Sequence, residues 1–367
     1  MKSEKRKTKK AMIVILVVIF IIILLPVIII FGFRVVNGFK SSISSENGIQ
    51  ESAYIDVNGI KQYVQIRGEN RENPVMIFIH GGPAGPMGYV SSYYQRELES
   101  DFTIINYDQR GCGRTYFANN NSYEADIDTL IADLDGIVEY SKNRFGNDKV
   151  VIVGHSWGTV IGSIYIQKYP EKVSSYIGVS QITKLYENKL NVAREVLKSD
   201  QIKGTDDEKA LTELVKRMET VSNYDEMSLD DLSRLVSINA KYMLCNGEMS
   251  GLKQIWTGMT SSEMSLYDMK WFMIQMNTES FFENNKALME YAFFGFDISQ
   301  LSKSYEVPVY YIAGEADYSV CQNDVKQYYD KIKAPDKGFY MLDNTGHSLF
   351  MDNPQLYCDT VKDILKS

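Results

Sequence analysis

Short apolar runs take turns with stretches of helical spacing along most of this chain. Residues 53–66, AYIDVNGIKQYVQI, alternate around Asn58-Gly59, which predicts a β-hairpin. VMIFI (75–79) and TIINY (103–107) are unbroken apolar runs of the kind that form buried parallel strands. Ile127, Leu130, Ile131, Leu134, Ile137 and Val138 recur at helical spacing within 125–144. The alternation goes on: a strand at 150–153, a helix at 157–168 and a strand at 176–179. After a gap come a strand at 307–313, a helix near 321–332, a strand at 338–342 and a helix near 354–366. Strand and helix in turn indicate an α/β protein, a mostly parallel sheet covered on both faces.

Two segments depart from this rhythm. Residues 183–300 read as helix throughout, with 19 Asp and Glu, 13 Lys and Arg and 10 of the chain's 16 methionines. They are expected to be a helical cap inserted into a core made of 51–182 and 301–367. Residues 11–33, AMIVILVVIFIIILLPVIIIFGF, carry no charge over 23 positions. A bilayer core takes about 20 apolar residues in a helix, whereas the apolar part of a cleaved signal runs to about 7–15 residues. The stretch is therefore expected to be an uncleaved transmembrane anchor, with 1–10 as a basic cytoplasmic tip and 34–50, polar and Ser/Asn-rich, as a linker.

Charge sharpens the picture. The net charge of the 367 residues is −8, yet residues 1–10 hold six basic groups and one acid. The tip is thus +5 and the remainder −13, and a basic tip before the span places the body outside the cytoplasm. So acidic a body excludes nucleic acid as a partner. Four cysteines without a C-x-x-C pair and three histidines without zinc-ligand spacing give no expectation of a metal or other cofactor.

The chemistry concentrates at VIVGHSWGTV, 151–160. Gly-His-Ser-Trp-Gly between a strand and a helix fits the G-x-S-x-G turn, in which a strained serine is lifted above the sheet. Ser156 is the candidate nucleophile. A serine hydroxyl needs a base, and the base needs an orienting acid. Of the three histidines, His155 should point away from the site and His80 begins the loop HGGP. His347, after the strand 338–342, is the candidate base. Asp317, in the loop after 307–313, is the candidate acid, with Glu315 as fallback and Asp343 as a further neighbour. The order Ser156, Asp317, His347 is that of α/β-hydrolases. The backbone N–H groups of Trp157 and of Gly82, with Gly81 close behind, are the candidate oxyanion donors.

HGGPAG, DQRGCGRT (108–115), GHSWGT, GEADYSV and TGHS together resemble the proline iminopeptidase family of α/β-hydrolases, over about residues 50–180 and 305–367. The resemblance implies Ser156, Asp317 and His347 as triad and release of an N-terminal residue, often proline, from short peptides. It also implies acidic cap residues that hold the substrate's free amine. Glu279 and Glu283, in NTESFFENN, are the acids in the most aromatic setting and are the candidates for that role. The sequence departs from the family's usual G-G-S-W-G and HGGPG, which leaves proline specificity open. A broad esterase or lipase-like hydrolase on the same fold, acting on some other small acyl substrate, and an inactive tethered binding protein are the alternatives. An all-apolar pocket would favour the esterase.

Overall fold

In the computed structural model, which describes residues 2–245 and 247–366, eight strands form one sheet. They are β1 (Ile49–Val57), β2 (Ile60–Gly68), β3 (Val75–Ile79), β4 (Thr103–Tyr107), β5 (Val150–His155), β6 (Val173–Val179), β7 (Val309–Gly314) and β8 (Lys337–Leu342). Their spatial order is β1-β2-β4-β3-β5-β6-β7-β8. β1 and β2 pair antiparallel through the turn at Asn58 and Gly59, whose φ values are +45° and +79°. Two positive φ values are what a two-residue hairpin turn needs, and Asn-Gly supplies them with little strain. β2 also meets β4 antiparallel, and every pair from β4 onward is parallel. This is the α/β-hydrolase arrangement.

β3, β4 and β5 are buried at every position because helices cover both faces of the sheet. At the N-terminus lie α1 (Lys2–Ile19), a π turn (Phe20–Leu24) and α2 (Leu25–Ser41). In the body, α3 (Ile127–Phe145) and α4 (Trp157–Lys168) bring Leu134, Ile137, Val138, Val160 and Ile161 to one face of the sheet. Asp126 and Thr129 form a capping box at the start of α3, and Gly146, with φ +72°, ends it. Between β6 and β7 the chain is helical: α5 (Leu185–Lys198), α6 (Asp206–Met218), α7 (Leu229–Met243), α8 (Gly251–Thr260), α9 (Leu266–Met276) and α10 (Thr278–Asn284). Thr205, Ser228, Ser250 and Ser265 cap α6 to α9 by accepting a backbone N–H from the first turn. α11 (Gln322–Lys331) follows β7. α12 (Pro354–Lys366) closes the chain, and Tyr357, Val361 and Ile364 seal the second face of the sheet.

Lys10–Ser41 is long and apolar enough to cross a membrane. The π turn lies just ahead of Pro26, which has no N–H to give the preceding turn. The helix does not stop at residue 33, and the expected linker at 34–50 shrinks to 42–48. The reason is that polar groups of α2 find partners on the body. Arg34 Nε donates to Ser261 O at 2.9 Å and its Nη2 to Met264 O, while Asn37 Nδ2 donates to Thr260 O at 2.9 Å.

Two buried arginines join these parts. Arg67, on β2, donates through Nε and Nη2 to both oxygens of Glu99 at 2.6 and 3.0 Å, and to Ser41 O at 2.6 Å. Its Nη1 pairs with Glu263 at 2.9 Å. Arg114 grips Asp268 from Nε and Nη2 at 3.0 and 2.5 Å and donates to Glu263 O at 2.6 Å. Arg67→Met would leave Glu263 buried without its ion pair and Glu99 with only a longer one, to Arg96 at 3.6 Å, at a cost of about 3–5 kcal/mol. The expected outcome is a matching fall in the urea midpoint of the detergent-solubilised chain. Lys326→Met, which breaks the exposed pair with Asp330, should leave that midpoint in place.

Candidate active site

Ser156 sits between β5 and α4 with φ +50° and ψ −117°, a conformation non-glycine residues rarely adopt. The strain is held by neighbours: Ser156 N–H donates to Val179 O at 3.0 Å, and Ser156 O accepts from Thr159 N–H at 2.8 Å. The flanking glycines have a steric cause. A Cβ on Gly158 would collide with Ile79 O, and one on Gly154 with Gly158 O. The turn can therefore lie flat on the end of β3.

The structure brings the three expected side chains together. Ser156 Oγ lies 3.0 Å from His347 Nε2, and His347 Nδ1 lies 2.9 and 3.0 Å from the two oxygens of Asp317. A carboxylate only accepts, so Nδ1 carries the proton and Nε2 is free to accept from the serine. Asp317 Oδ1 also accepts the N–H groups of Ser319 and Val320 at 2.8 and 2.9 Å. Burial alone would raise the Asp317 carboxyl. His347 and these N–H groups outweigh it and hold the carboxyl below its ordinary range. Glu315 instead accepts from Asn344 N–H at 3.0 Å, and Asp343 is exposed.

Trp157 is the first residue of α4, so its N–H has no acceptor within the helix, and the positive end of the helix dipole points the same way. Its indole donates to Gln109 Oε1 at 3.1 Å. Across from it, Gly81 lies so close that a Cβ there would be 3.2 Å from Ser156 Cβ. Gly82 has φ +127° and a Cβ would strike Ala84 N and Gly85 N, so only glycine fits. His80 shapes this loop: its Nδ1 donates to Gly81 O at 2.9 Å and its Nε2 accepts Gln109 N–H at 3.2 Å. Burial lowers its pKa to about 4, so it stays neutral. His155 does not point away. Its Nε2 donates to His347 O at 3.1 Å, because the sharp turn leaves residue 155 beside the His347 loop. Burial, then the neighbouring His347, lower its pKa to about 3.

A cavity of about 620 Å³ opens over Ser156 and His347. Its walls are largely apolar: Leu232 and Val236 of α7, Phe281 and Phe282 of α10, Met289 and Phe293. Among the described residues no carboxylate side chain lines it. Glu279 and Glu283 are both exposed, on the face of α10 opposite Phe281. Four residues apart, they share one helix face, and Phe281, two residues from each, takes the opposite one. The charge that does line the cavity is Lys189 of α5, whose Nζ donates to Ser319 Oγ at 2.8 Å. Burial lowers its pKa to about 8, against the pull of Asp317. Nothing in its sequence surroundings marks it out. Glu248 lies nearby but outside the lining, its carboxyl carbon 3.2 Å from where a Cβ on Gly346 would sit. One of its oxygens has no hydrogen-bond partner, and burial, with Asp352 and Asp317 close, raises its carboxyl.

A family model for the α/β-hydrolase fold matches residues 74–220. Over 308 residues the chain is 25% identical to the "probable aminopeptidase YbaC" of Bacillus subtilis (strain 168), covering 84% of this chain and 93% of that one. Over 325 residues it is 24% identical to a proline iminopeptidase of Heyndrickxia coagulans, covering 86% and 98%. The structure superposes on that of a membrane phospholipase A with a TM-score of 0.61, covering 99% and 98% at 14% identity, a likeness of fold.

An ammonium at the wall of an apolar cavity should hold a fatty carboxylate. Below about pH 8 Lys189 is charged and attracts the anion; above it Lys189 is neutral. Octanoate binding, followed by calorimetry, should weaken as pH rises through about 8. In Lys189→Met it should be weak at every pH.

Proposed function

We propose that this chain, a proline iminopeptidase-like α/β-hydrolase, is a membrane-anchored serine hydrolase that forms an acyl-enzyme on Ser156. The observation that carries the reading is the continuous chain of hydrogen bonds Asp317–His347–Ser156. His347 Nε2 takes the hydroxyl proton as Oγ attacks the substrate carbonyl, and Asp317 steadies the imidazolium that forms. The N–H groups of Trp157 and Gly82 hold the developing oxyanion. His347 then gives the proton to the leaving amine or alcohol. Water, deprotonated by the same histidine, releases the acid.

The cavity favours a neutral, apolar acyl group in an ester or amide. A substrate ammonium there would meet Lys189 and no carboxylate, and a buried unpaired charge is costly. An aminopeptidase is the second reading. Two observations favour it: the names of the relatives, and Glu248, whose partnerless oxygen lies beside the His347 loop. In either case the domain binds a small acyl substrate or short peptide within walls supplied by the helices between β6 and β7, which act as its cap.

The apolar helix is read as a retained span rather than a cleaved signal, since Arg34, Asn37 and Ser41 are built into contacts with the body. The basic tip supports an extracytoplasmic body.

Ser156→Ala should abolish labelling by a fluorophosphonate probe, and Asp317→Asn should lower kcat by about 10⁴-fold. A fully active Asp317→Asn enzyme would remove Asp317 from the mechanism. N-acetyl-leucine arylamide and 4-nitrophenyl butyrate should be cleaved at least as fast as free leucine or proline arylamides, measured as kcat/KM. A preference of about 10²-fold for the free amine, of the size one charge-assisted hydrogen bond supplies, would instead select the aminopeptidase. Glu248→Gln should then remove that preference.

A further inference from the structure

Two helices of the cap turn apolar side chains to solvent. On α8 Leu252, Ile255 and Trp256 are exposed, and on α9 Leu266, Met273 and Met276, with Leu252 at 82% and Met273 at 65%. Exposed apolar residues are ordinary when scattered, but a run of them on successive helices marks a contact surface. The other side of α9 is fully engaged: Asp268 holds Arg114, and Trp271 Nε1 and Gln275 Nε2 both donate to Ala84 O at 3.1 Å. The outward side is the one without a partner.

Position says what covers it. α2 packs on α8, with the Phe33 and Trp256 rings 5.3 Å apart in an edge-on contact, and Arg34 and Asn37 bond to the turn after α8. The charge-free stretch ends at Phe33, so α8 stands at the level where the span leaves the hydrocarbon. Charge agrees. In a chain of net charge −8, the exposed charged side chains of α8 and α9 are Lys253 and Lys270, since Asp268 is buried against Arg114. Lysines beside tryptophan and aliphatic residues match the boundary between anionic headgroups and acyl chains.

We propose that α8 and α9 lie on the bilayer leaflet from which α2 emerges, with their apolar faces seated in the headgroup–acyl boundary. The occupant of this face is phospholipid, and the domain is held both by its span and by this surface. The proposal rests on the reading of Lys10–Ser41 as a membrane span. It has a consequence for the site: α9, through Trp271 and Gln275, braces Ala84, two residues from Gly82. The bilayer thereby supports the loop that carries an oxyanion donor.

The test uses the full chain in phosphatidylcholine–phosphatidylglycerol vesicles, with and without dibrominated acyl chains. Met273→Trp and, separately, Leu252→Trp are made in a Trp256→Phe background; Trp157 and Trp271 are buried and common to all samples. Met341→Trp, exposed on the edge strand β8, is the control. Fluorophosphonate labelling of Ser156 confirms that each variant is folded. Bromolipid should quench the new tryptophan at 273 or 252 at least about twofold more than that at 341. Vesicle flotation with equal quenching at all three positions overturns the proposal and leaves the span intact. Equal quenching with cross-linking of copies through 273 assigns the face to a second copy of the chain and overturns it as well. A chain that does not float with vesicles removes the span and this proposal together.

Discussion

The backbone at Ser156 is the constraint on which the rest of the structure depends. A serine at φ +50° is strained, and something must hold it there. The holding is done by parallel strands on either side, by a helix that starts at the next residue and by two glycines that let backbones touch. β3 ends against this turn, and β6 receives its N–H. His347 and Asp317 arrive on loops that follow the next two strands outward. Each of the three proposed catalytic groups thus comes from the carboxyl end of a strand, where a parallel sheet gathers its loops.

A second level of order comes from buried ion pairs. Arg67 and Arg114 gather Ser41, Glu99, Glu263 and Asp268, which lie far apart in sequence. Such pairs add little net stability, because taking the charges out of water offsets their attraction. Their effect here is geometric. They fix the 260–268 segment of the cap against β2 and against the end of the N-terminal helix, so the cap cannot swing without uncovering charge.

The core was legible because its signals are local. Asn58-Gly59 dictates a hairpin, VMIFI can only be a covered strand, and Gly-x-Ser-x-Gly between strand and helix has few other uses. His347 and Asp317 followed from position after strands, 30 residues apart in sequence and hydrogen-bonded in space. The cap was not legible. Its helices could be seen in Ser and Thr caps and apolar spacing, but which face lines a cavity depends on how six helices pack. Glu279 and Glu283 were singled out for their aromatic neighbours, and those neighbours took the inner face. Lys189 reads as an ordinary helical lysine until α5 is laid against the Asp317 loop. The linker expected at 34–50 was misread because polar composition looks like solvent exposure, whereas Arg34 and Asn37 are polar in order to bond across to the cap.

The persistence of helix through Ser41 changes what the catalytic domain can reach. A flexible tether of the length expected from composition would let the site wander by about 20–25 Å. A helix clamped at its far end by Arg67 permits no such excursion. The distance between the last apolar turn and Ser156 is a fixed length, set by hydrogen bonds rather than by diffusion. On the proposed reading of this helix as a membrane span and of Ser156 as nucleophile, substrates must bring their carbonyl to one height, and the selection this imposes is on where along a molecule the scissile bond lies.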